Sequence, residues 1–150
     1  MKLYADTSFI GSLYLHSDAN HGAAVTALER LNTAPQFPLT PFGVVEIENM
    51  LSRLEYKGIL HSAEVRQIMK MIKNDIGTGL LHSTPLHAYE WLQDTRDLIR
   101  KITPLTGTRT LDTMHIALAR NSNATHFASF DKNQRKAAAA AKLQLFPSSI

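Results

Sequence analysis

Four acidic residues of this chain stand where a carboxylate is an unusual structural choice: Asp6, Glu46, Asp112 and Asp131. Asp6 follows the run of residues 1–5, and Asp131 follows residues 125–130, so both lie where a predicted strand turns into a predicted helix. In open parallel sheets, ligands collect at the carboxyl ends of the strands. Carboxylates gathered there repel one another unless a cation neutralises them. The placement of these acids therefore predicts a metal site.

The predicted site consists of carboxylate oxygens, which prefer Mg²⁺ or Mn²⁺. Zinc is disfavoured because the chain has no cysteine and its seven histidines show no His-Glu-x-x-His spacing. His115, one turn after Asp112, is expected to be a buried, hydrogen-bonded residue rather than a ligand. A water on Mg²⁺ can attack phosphorus while the metal neutralises the phosphate charge. The pattern therefore indicates metal-assisted hydrolysis of phosphodiesters.

Each acid also has a purely structural interpretation. Asp6 and Asp131 can cap the helices that follow them. Glu46 can be an exposed acid of its helix, as we expect for Glu48, which points about 200° away around the helix axis. Asp112 lies among apolar residues, which argues against a plain surface acid. Taken singly these interpretations stay open, and it is the ordered set of acids that favours a shared site.

Short apolar strands alternate with helices along the chain. Strands are predicted at residues 2–5, 37–40, 80–83, 125–130 and 143–146. Helices are predicted at residues 7–14, 20–31, 41–58, 60–72, 85–102, 110–121 and 132–142, with a break at residues 74–79. This alternation predicts an α/β fold, a three-layer α/β/α sandwich with a mostly parallel central sheet. The two acids that follow strands would then lie at the same edge of the sheet.

The composition indicates a single domain over residues 1–150. Without cysteine the chain forms no disulfide, so a reducing cytoplasm is the expected location. No run of apolar residues approaches the length of a membrane span. Asp6 and Asp18 interrupt the N-terminal apolar stretch, so no signal peptide is expected. The prediction is a cytoplasmic protein with no membrane partner.

Charge is unevenly distributed along a chain whose net charge is +3. Residues 1–95 carry seven Lys/Arg and ten Asp/Glu, a net charge of −3. Residues 96–150 carry nine Lys/Arg and three Asp/Glu, a net charge of +6. A basic C-terminal third around an acidic site fits a phosphate-rich partner, and a solvated basic surface is the alternative.

The segments that contain the four acids together resemble the PIN domain, and more narrowly the VapC-type toxins of bacterial toxin–antitoxin systems. They are Tyr-Ala-Asp-Thr-Ser at residues 4–8, Val-Glu at 45–46, Arg-Thr-Leu-Asp-Thr-Met-His-Ile-Ala at 109–117, and Ala-Ser-Phe-Asp at 128–131. The Arg-x-x-Asp-x-x-His-x-Ala and Ser-Phe-Asp-x-x-Gln patterns are the more specific ones. The resemblance covers nearly the whole chain, and no departure occurs at the acidic positions.

This resemblance implies a Rossmann-like fold and Mg²⁺- or Mn²⁺-dependent ribonuclease activity, with the four acids as metal-site carboxylates. It also implies that Ser8 or Ser129 orients a water or a phosphate. The hypothesis that follows makes Asp6 the shared ligand of one or two ions and places RNA phosphates against basic side chains: Arg109, Lys132, Arg135 and Lys136. The RNA would be tRNA or rRNA; the choice of RNA over DNA rests on the resemblance alone.

Members of the family usually dimerise and are blocked by a cognate antitoxin, so a homodimer and an antitoxin partner are expected here. The apolar helices at residues 44–54 and 60–72 are the candidate antitoxin-facing surface, unless they only pack on the sheet. The main alternative is a catalytically inactive PIN-like module that binds RNA or protein, which would be expected to lack one or more acids. A haloacid dehalogenase would need an acid at Ser8, and a dinucleotide-binding fold would need more glycines than Gly11.

Overall fold

The computed structural model describes residues 1–149, within which helices alternate with short strands. The strands are β1 (Leu3–Ala5), β2 (Phe37–Leu39), β3 (Leu81–Ser83), β4 (His126–Ala128) and β5 (Gln144–Phe146). The helices are α1 (Thr7–Tyr14), α2 (His21–Glu29), α3 (Pro41–Tyr56), α4 (Ser62–Thr78), α5 (Ala88–Thr106), α6 (Thr110–Asn121) and α7 (Lys132–Ala140). Every strand pair recorded in this part of the chain is parallel, so the predicted α/β fold with parallel strands is confirmed.

The residues divide into two compact units, and one of the two boundaries, between Phe9 and Ile10, lies within α1. One unit joins Met1–Phe9 to the chain from Leu86 onward, and the other is Ile10–Pro85. We refer to them as the terminal unit and the central unit. The prediction of a single domain over residues 1–150 stays a prediction.

The terminal unit contains a sheet in the order β1-β4-β5. Tyr4 pairs with Phe127 and Ala5 with Ala128, so β1 and β4 end side by side. All three residues of β1 are buried, as expected for a strand covered on both faces. Helix α6 contacts β1, α7 contacts β5, and α5 packs on both helices. The carboxyl ends of β1 and β4 therefore open at one place, beside the first turns of α6 and α7.

Aromatic and small side chains hold this unit together. The ring of Phe9 stacks on Phe130 at a centroid distance of 5.3 Å and meets Phe146 edge-on at 6.0 Å. Ala137 and Ala138, from the alanine run of α7, are fully buried, so this helix lies close to its neighbours. The run thus behaves as the predicted helix, and its buried methyl groups are part of the core.

The central unit contains the parallel pair β2-β3 together with α3 and α4. The Oγ1 of Thr40 accepts a hydrogen bond from the N–H of Gly43, and Pro41 occupies the first turn of α3, so the start of this helix follows from its sequence. The break predicted at residues 74–79 is wrong. Helix α4 continues to Thr78, with Ile76 half-buried one turn after the buried Ile72, and it ends at Gly79, whose φ is +96°.

Helix α5 also differs from its predicted range of 85–102. It begins at Ala88 and ends at Thr106, with Pro104 inside its last turn. Proline lacks a backbone N–H, so Pro104 cannot donate a helical hydrogen bond, but only the last residues of the helix follow it. The helix ends at Gly107, whose φ is +68°. None of the helices found in residues 1–149 is both long and apolar enough to cross a membrane.

Candidate active site

The carboxylate of Asp6 is held at the end of β1. Its backbone N–H extends the strand ladder to the carbonyl of Ala128, at 3.1 Å, and the residue is only 1% exposed. Oδ1 accepts hydrogen bonds from the hydroxyl of Ser8 at 2.9 Å and from the N–H of Phe9 at 2.7 Å. Oδ2 accepts one from the hydroxyl of Ser129 at 2.6 Å. Asp6 thus caps α1, as its structural interpretation requires, and its other oxygen is directed towards β4.

Burial raises the pKa of Asp6, because removal from water disfavours the ionised carboxylate. The hydrogen bond from Ser129, the charge of His115 and the bonds from Phe9 and Ser8 act in the opposite direction but do not offset burial. His115 is itself buried, and its Nδ1 lies 2.7 Å from the hydroxyl of Tyr4, as expected for a hydrogen-bonded histidine of the core. A cation beside Asp6 would favour the ionised form that burial disfavours.

Ser129, which follows β4, connects Asp6 to Asp131. It is fully buried, and its Oγ donates to Asp6 and accepts from the backbone N–H of Asp131 at 3.0 Å. The Oδ1 of Asp131 accepts from the N–H of Gln134 at 2.8 Å and so caps α7. Asp131 is half-buried. The capping interpretation of this acid is therefore confirmed as well, while its role in a metal site stays a prediction.

Asp112 lies in the first turn of α6 and is 5% exposed. The Nε of Arg109 lies 2.9 Å from its Oδ2, and the Nε2 of Gln134 lies 3.2 Å from its Oδ1. The hydrogen bond and charge of Asp112 raise the pKa of Arg109, and the negative charge of Asp131 raises it further. The side chain of Arg109 is 75% exposed, so this ion pair lies at the surface.

One chain of hydrogen bonds therefore joins three of the four candidate acids, and these three all lie in the terminal unit. It runs from Asp6 through Ser129 to Asp131, and then through Gln134 to Asp112. Gln134 has no role in the sequence interpretation, although the Ser-Phe-Asp-x-x-Gln pattern contains it. The signal was the spacing of Asp131 and Gln134, which is that of a helix-capping pair.

Glu46 lies in the central unit, in the second turn of α3. It is partly buried, between the fully buried Gly43 and Ile47, whereas Glu48 is exposed as predicted. Its assignment as the fourth acid of the site stays a prediction.

The basic residues proposed to hold RNA differ in exposure. Lys132 and Lys136 are exposed on α7. Arg135 is 7% exposed, and burial lowers its pKa. Its guanidinium donates to the backbone carbonyls of Ser129 at 3.0 Å and Phe146 at 3.4 Å. The guanidinium of Arg135 is therefore buried and bonded within the protein, and it is not among the proposed RNA contacts.

The donors at this site suit a hard cation, since they are carboxylate, hydroxyl and amide oxygens. Gln134 adds a buried Oε1 that has no hydrogen-bond partner among residues 1–149. Within the same residues, no three histidine or acidic side chains already form a cluster that could hold a metal ion. The oxygen ligands available here fit Mg²⁺ or Mn²⁺. In this structure the carboxylates of Asp6, Asp112 and Asp131 accept hydrogen bonds from other groups of the protein.

Comparison with known proteins identifies the family. A family model described as the PIN domain matches residues 3–140. No curated protein sequence gives a significant match.

Two solved structures share the fold. VapC20 of Mycobacterium tuberculosis, described as a sarcin-ricin loop cleaving toxin, has a TM-score of 0.64 and 17% identity, covering 91% of this chain and 95% of its own. FitAcB from Neisseria gonorrhoeae has a TM-score of 0.69 and 16% identity, covering 99% of both chains. At such low identity, these matches support the PIN-like fold.

Proposed function

Because the chain belongs to the PIN domain family, we propose that it is a Mg²⁺- or Mn²⁺-dependent endoribonuclease. The observation that carries the proposal is the hydrogen-bonded chain that joins Asp6, Asp131 and Asp112. These acids lie after β1, after β4 and in the first turn of α6. Helix capping alone would not require them to be joined to one another by hydrogen bonds. Metal-assisted hydrolysis of a phosphodiester needs such a group of carboxylates and no protein nucleophile.

The protein's own side chains have distinct parts in this proposal. The acids that would hold the cation are Asp6, Glu46, Asp112 and Asp131. The cation, when bound, supplies neutralising charge for the phosphate and a polarised water. Ser8 and Ser129 fix the two oxygens of Asp6, so we assign them to the orientation of that carboxylate before that of water or phosphate.

The exposed basic groups near the acids are the proposed contacts to the RNA backbone. Arg109 presents its guanidinium at the surface while pairing with Asp112, and Lys132 and Lys136 are exposed on the helix that Asp131 caps. Because the acids repel the phosphates of RNA, cations beside them compensate during binding. The proposed substrate is RNA, with tRNA and rRNA as the first candidates.

We further propose that the protein is the toxin of a toxin–antitoxin pair and a homodimer. The toxin VapC20 has the same fold as this chain, which supports the proposal that the protein is a toxin. The central unit also exposes apolar side chains on and after α3, with Val45 63%, Tyr56 92% and Ile59 55% exposed. Beside α4 lies a groove of about 370 Å³, lined in part by Leu15, Leu60 and Met71. An amphipathic segment of an antitoxin would cover such apolar surface.

A cleavage assay tests the proposed activity. Purified protein, shown to carry no bound partner, is incubated with a pool of tRNA and rRNA in Mg²⁺, Mn²⁺ or EDTA. The Asp6→Asn variant is measured beside Asp97→Asn, which changes an exposed acid of α5 that pairs with Arg100. Discrete fragments that need both the metal and Asp6, and persist in Asp97→Asn, are expected.

Absence of cleavage under all of these conditions would contradict the proposal. RNA retained without being cleaved would instead favour the binding-module alternative. Binding is measured on the same RNA pool by a filter assay in EDTA, so that the two functions are separated.

A further inference from the structure

Gln134 departs from the role that its position predicts. It stands three residues after the N-cap Asp131, where a glutamine side chain usually reaches back to the N–H of the cap. In this protein that N–H instead donates to the Oγ of Ser129. The amide of Gln134 is thereby released from capping, and its Nε2 donates to the Oδ1 of Asp112, 22 residues earlier in the chain.

The orientation and burial of this amide are both well defined. A carboxylate only accepts hydrogen bonds, so the Nε2, rather than the Oε1, must face Asp112. Gln134 is 6% exposed, and its Oε1 is buried with no partner within the described part of the chain. A buried carbonyl left unpaired is unfavourable. Helix α7 thus retains the unpaired Oε1 of Gln134 while the Nε2 of the same amide donates to Asp112.

Gln134 also differs from Arg109, the other partner of Asp112. Arg109 is charged and exposed, and in pairing it neutralises the carboxylate that a cation would need. The amide of Gln134 is neutral, so it orients Asp112 and leaves its charge available. The backbone N–H of Gln134 holds Asp131 in the same way.

We propose that Gln134 is a positioning residue of the metal site, which fixes Asp112 with its side chain and Asp131 with its backbone. The inference rests on the proposed function in that it takes these acids to be metal ligands. Partners that orient metal ligands typically change metal affinity by about 10- to 100-fold when they are removed. A hydrogen bond that only ties α7 to α6 would change stability and leave metal affinity unaltered.

The test compares Mn²⁺ binding with stability. Gln134→Met keeps the length of the side chain and removes the amide, and Gln134→Asn keeps the amide but shortens its reach, in case the first variant does not fold. Thr95→Val is the control, because it removes a buried hydroxyl that donates to Trp91 in α5 of the same unit, at 2.8 Å. The Kd for Mn²⁺ is measured by isothermal titration calorimetry, and the Tm by calorimetric scanning.

We expect the Kd for Mn²⁺ to rise about tenfold or more in both Gln134 variants, and the Mn²⁺ concentration for half-maximal cleavage to rise with it. Thr95→Val should lower the Tm and leave the Kd unchanged. A folded Gln134 variant that binds Mn²⁺ as tightly as the unaltered protein overturns the inference, whatever its Tm.

Three results separate this inference from the proposed function. If the unaltered protein binds Mn²⁺ and cleaves RNA, and the Gln134 variants equal it in both, the inference alone fails. If binding depends on Asp6 and Gln134 but no RNA is cleaved, the proposed activity fails and the positioning role stands. If the unaltered protein binds no Mn²⁺, both are contradicted.

Discussion

The hydroxyl of Ser129 lies 2.6 Å from the carboxylate of Asp6, a residue 123 positions earlier in the chain. The parallel pairing of β1 with β4 brings the two together, since Ala5 and Ala128 pair in register just before them. The same hydroxyl accepts from the N–H of Asp131. The buried Ser129 thus forms hydrogen bonds with both Asp6 and Asp131, two of the acids proposed to act together.

Substitution of this serine tests that relationship. Ser129→Ala leaves Oδ2 of Asp6 and the N–H of Asp131 without their partner, so we expect a loss of about 1–3 kcal/mol in the free energy of unfolding. Mn²⁺ affinity and cleavage should fall with it. Ser122→Ala, which removes a hydroxyl bonded to the carbonyl of Ala119 at 3.0 Å, is the matched control. Equal stability of the two variants in urea unfolding would contradict the role given to Ser129.

The raised pKa of Asp6 predicts how stability depends on pH in the absence of metal. The folded state holds this proton more tightly than the unfolded state, whose pKa is near the ordinary value of 3.8. The contribution of Asp6 to the free energy of unfolding is therefore largest below that value and is lost as pH rises through the folded pKa. Asp6→Asn should flatten this part of the curve and raise the Tm of the metal-free protein at neutral pH, because the variant has no buried carboxylate to ionise.

Scanning calorimetry in EDTA from pH 4 to pH 8 measures this dependence, and Mn²⁺ should raise the Tm of the unaltered protein but not that of Asp6→Asn. Identical pH profiles for the two proteins would show that Asp6 does not carry the titration.

Lys136 tests the proposed basic contact. It is exposed on α7, so Lys136→Ala should leave the fold intact and weaken RNA binding. The slope of log K against log salt should become shallower by about 0.7 for a single-stranded RNA, corresponding to one phosphate contact. Lys101→Ala, an exposed lysine of α5, is the control. Filter binding of the RNA in EDTA at several salt concentrations gives the slope, and an unaltered slope would remove Lys136 from the contact surface.

Arg135 should behave in the opposite way. Arg135→Met removes the donors to the carbonyls of Ser129 and Phe146, so we expect a loss of about 1–3 kcal/mol in stability and an unchanged salt slope for RNA binding. Urea unfolding and the binding assay used for Lys136 measure the two quantities. A stable variant with a shallower salt slope would restore Arg135 as an RNA contact.

The sequence predicts most of the elements and the acids that follow strands, because both depend on local patterns. An apolar run followed by an aspartate and a helix is visible in the segment around Asp6. The burial of Arg135 is not visible, since arginine is usually exposed and its partners are backbone carbonyls outside its own helix, at Ser129 and Phe146. The redirection of Gln134 is hidden for a related reason, because its spacing from Asp131 fits an ordinary capping pair. Tertiary contacts override local preference at both positions.

The pairing of β1 with β4 has a consequence for the activity that we propose. Strands far apart in sequence close slowly, because the loop between them must lose its entropy before the pairing contributes. Asp6 meets Ser129 only when that pairing has formed, so the link between Asp6 and Asp131 depends on it. A chain in which β1 and β4 have not paired lacks the hydrogen bond that joins Ser129 to Asp6. The proposed hydrolysis would therefore depend on the completed β1–β4 pairing of the terminal unit.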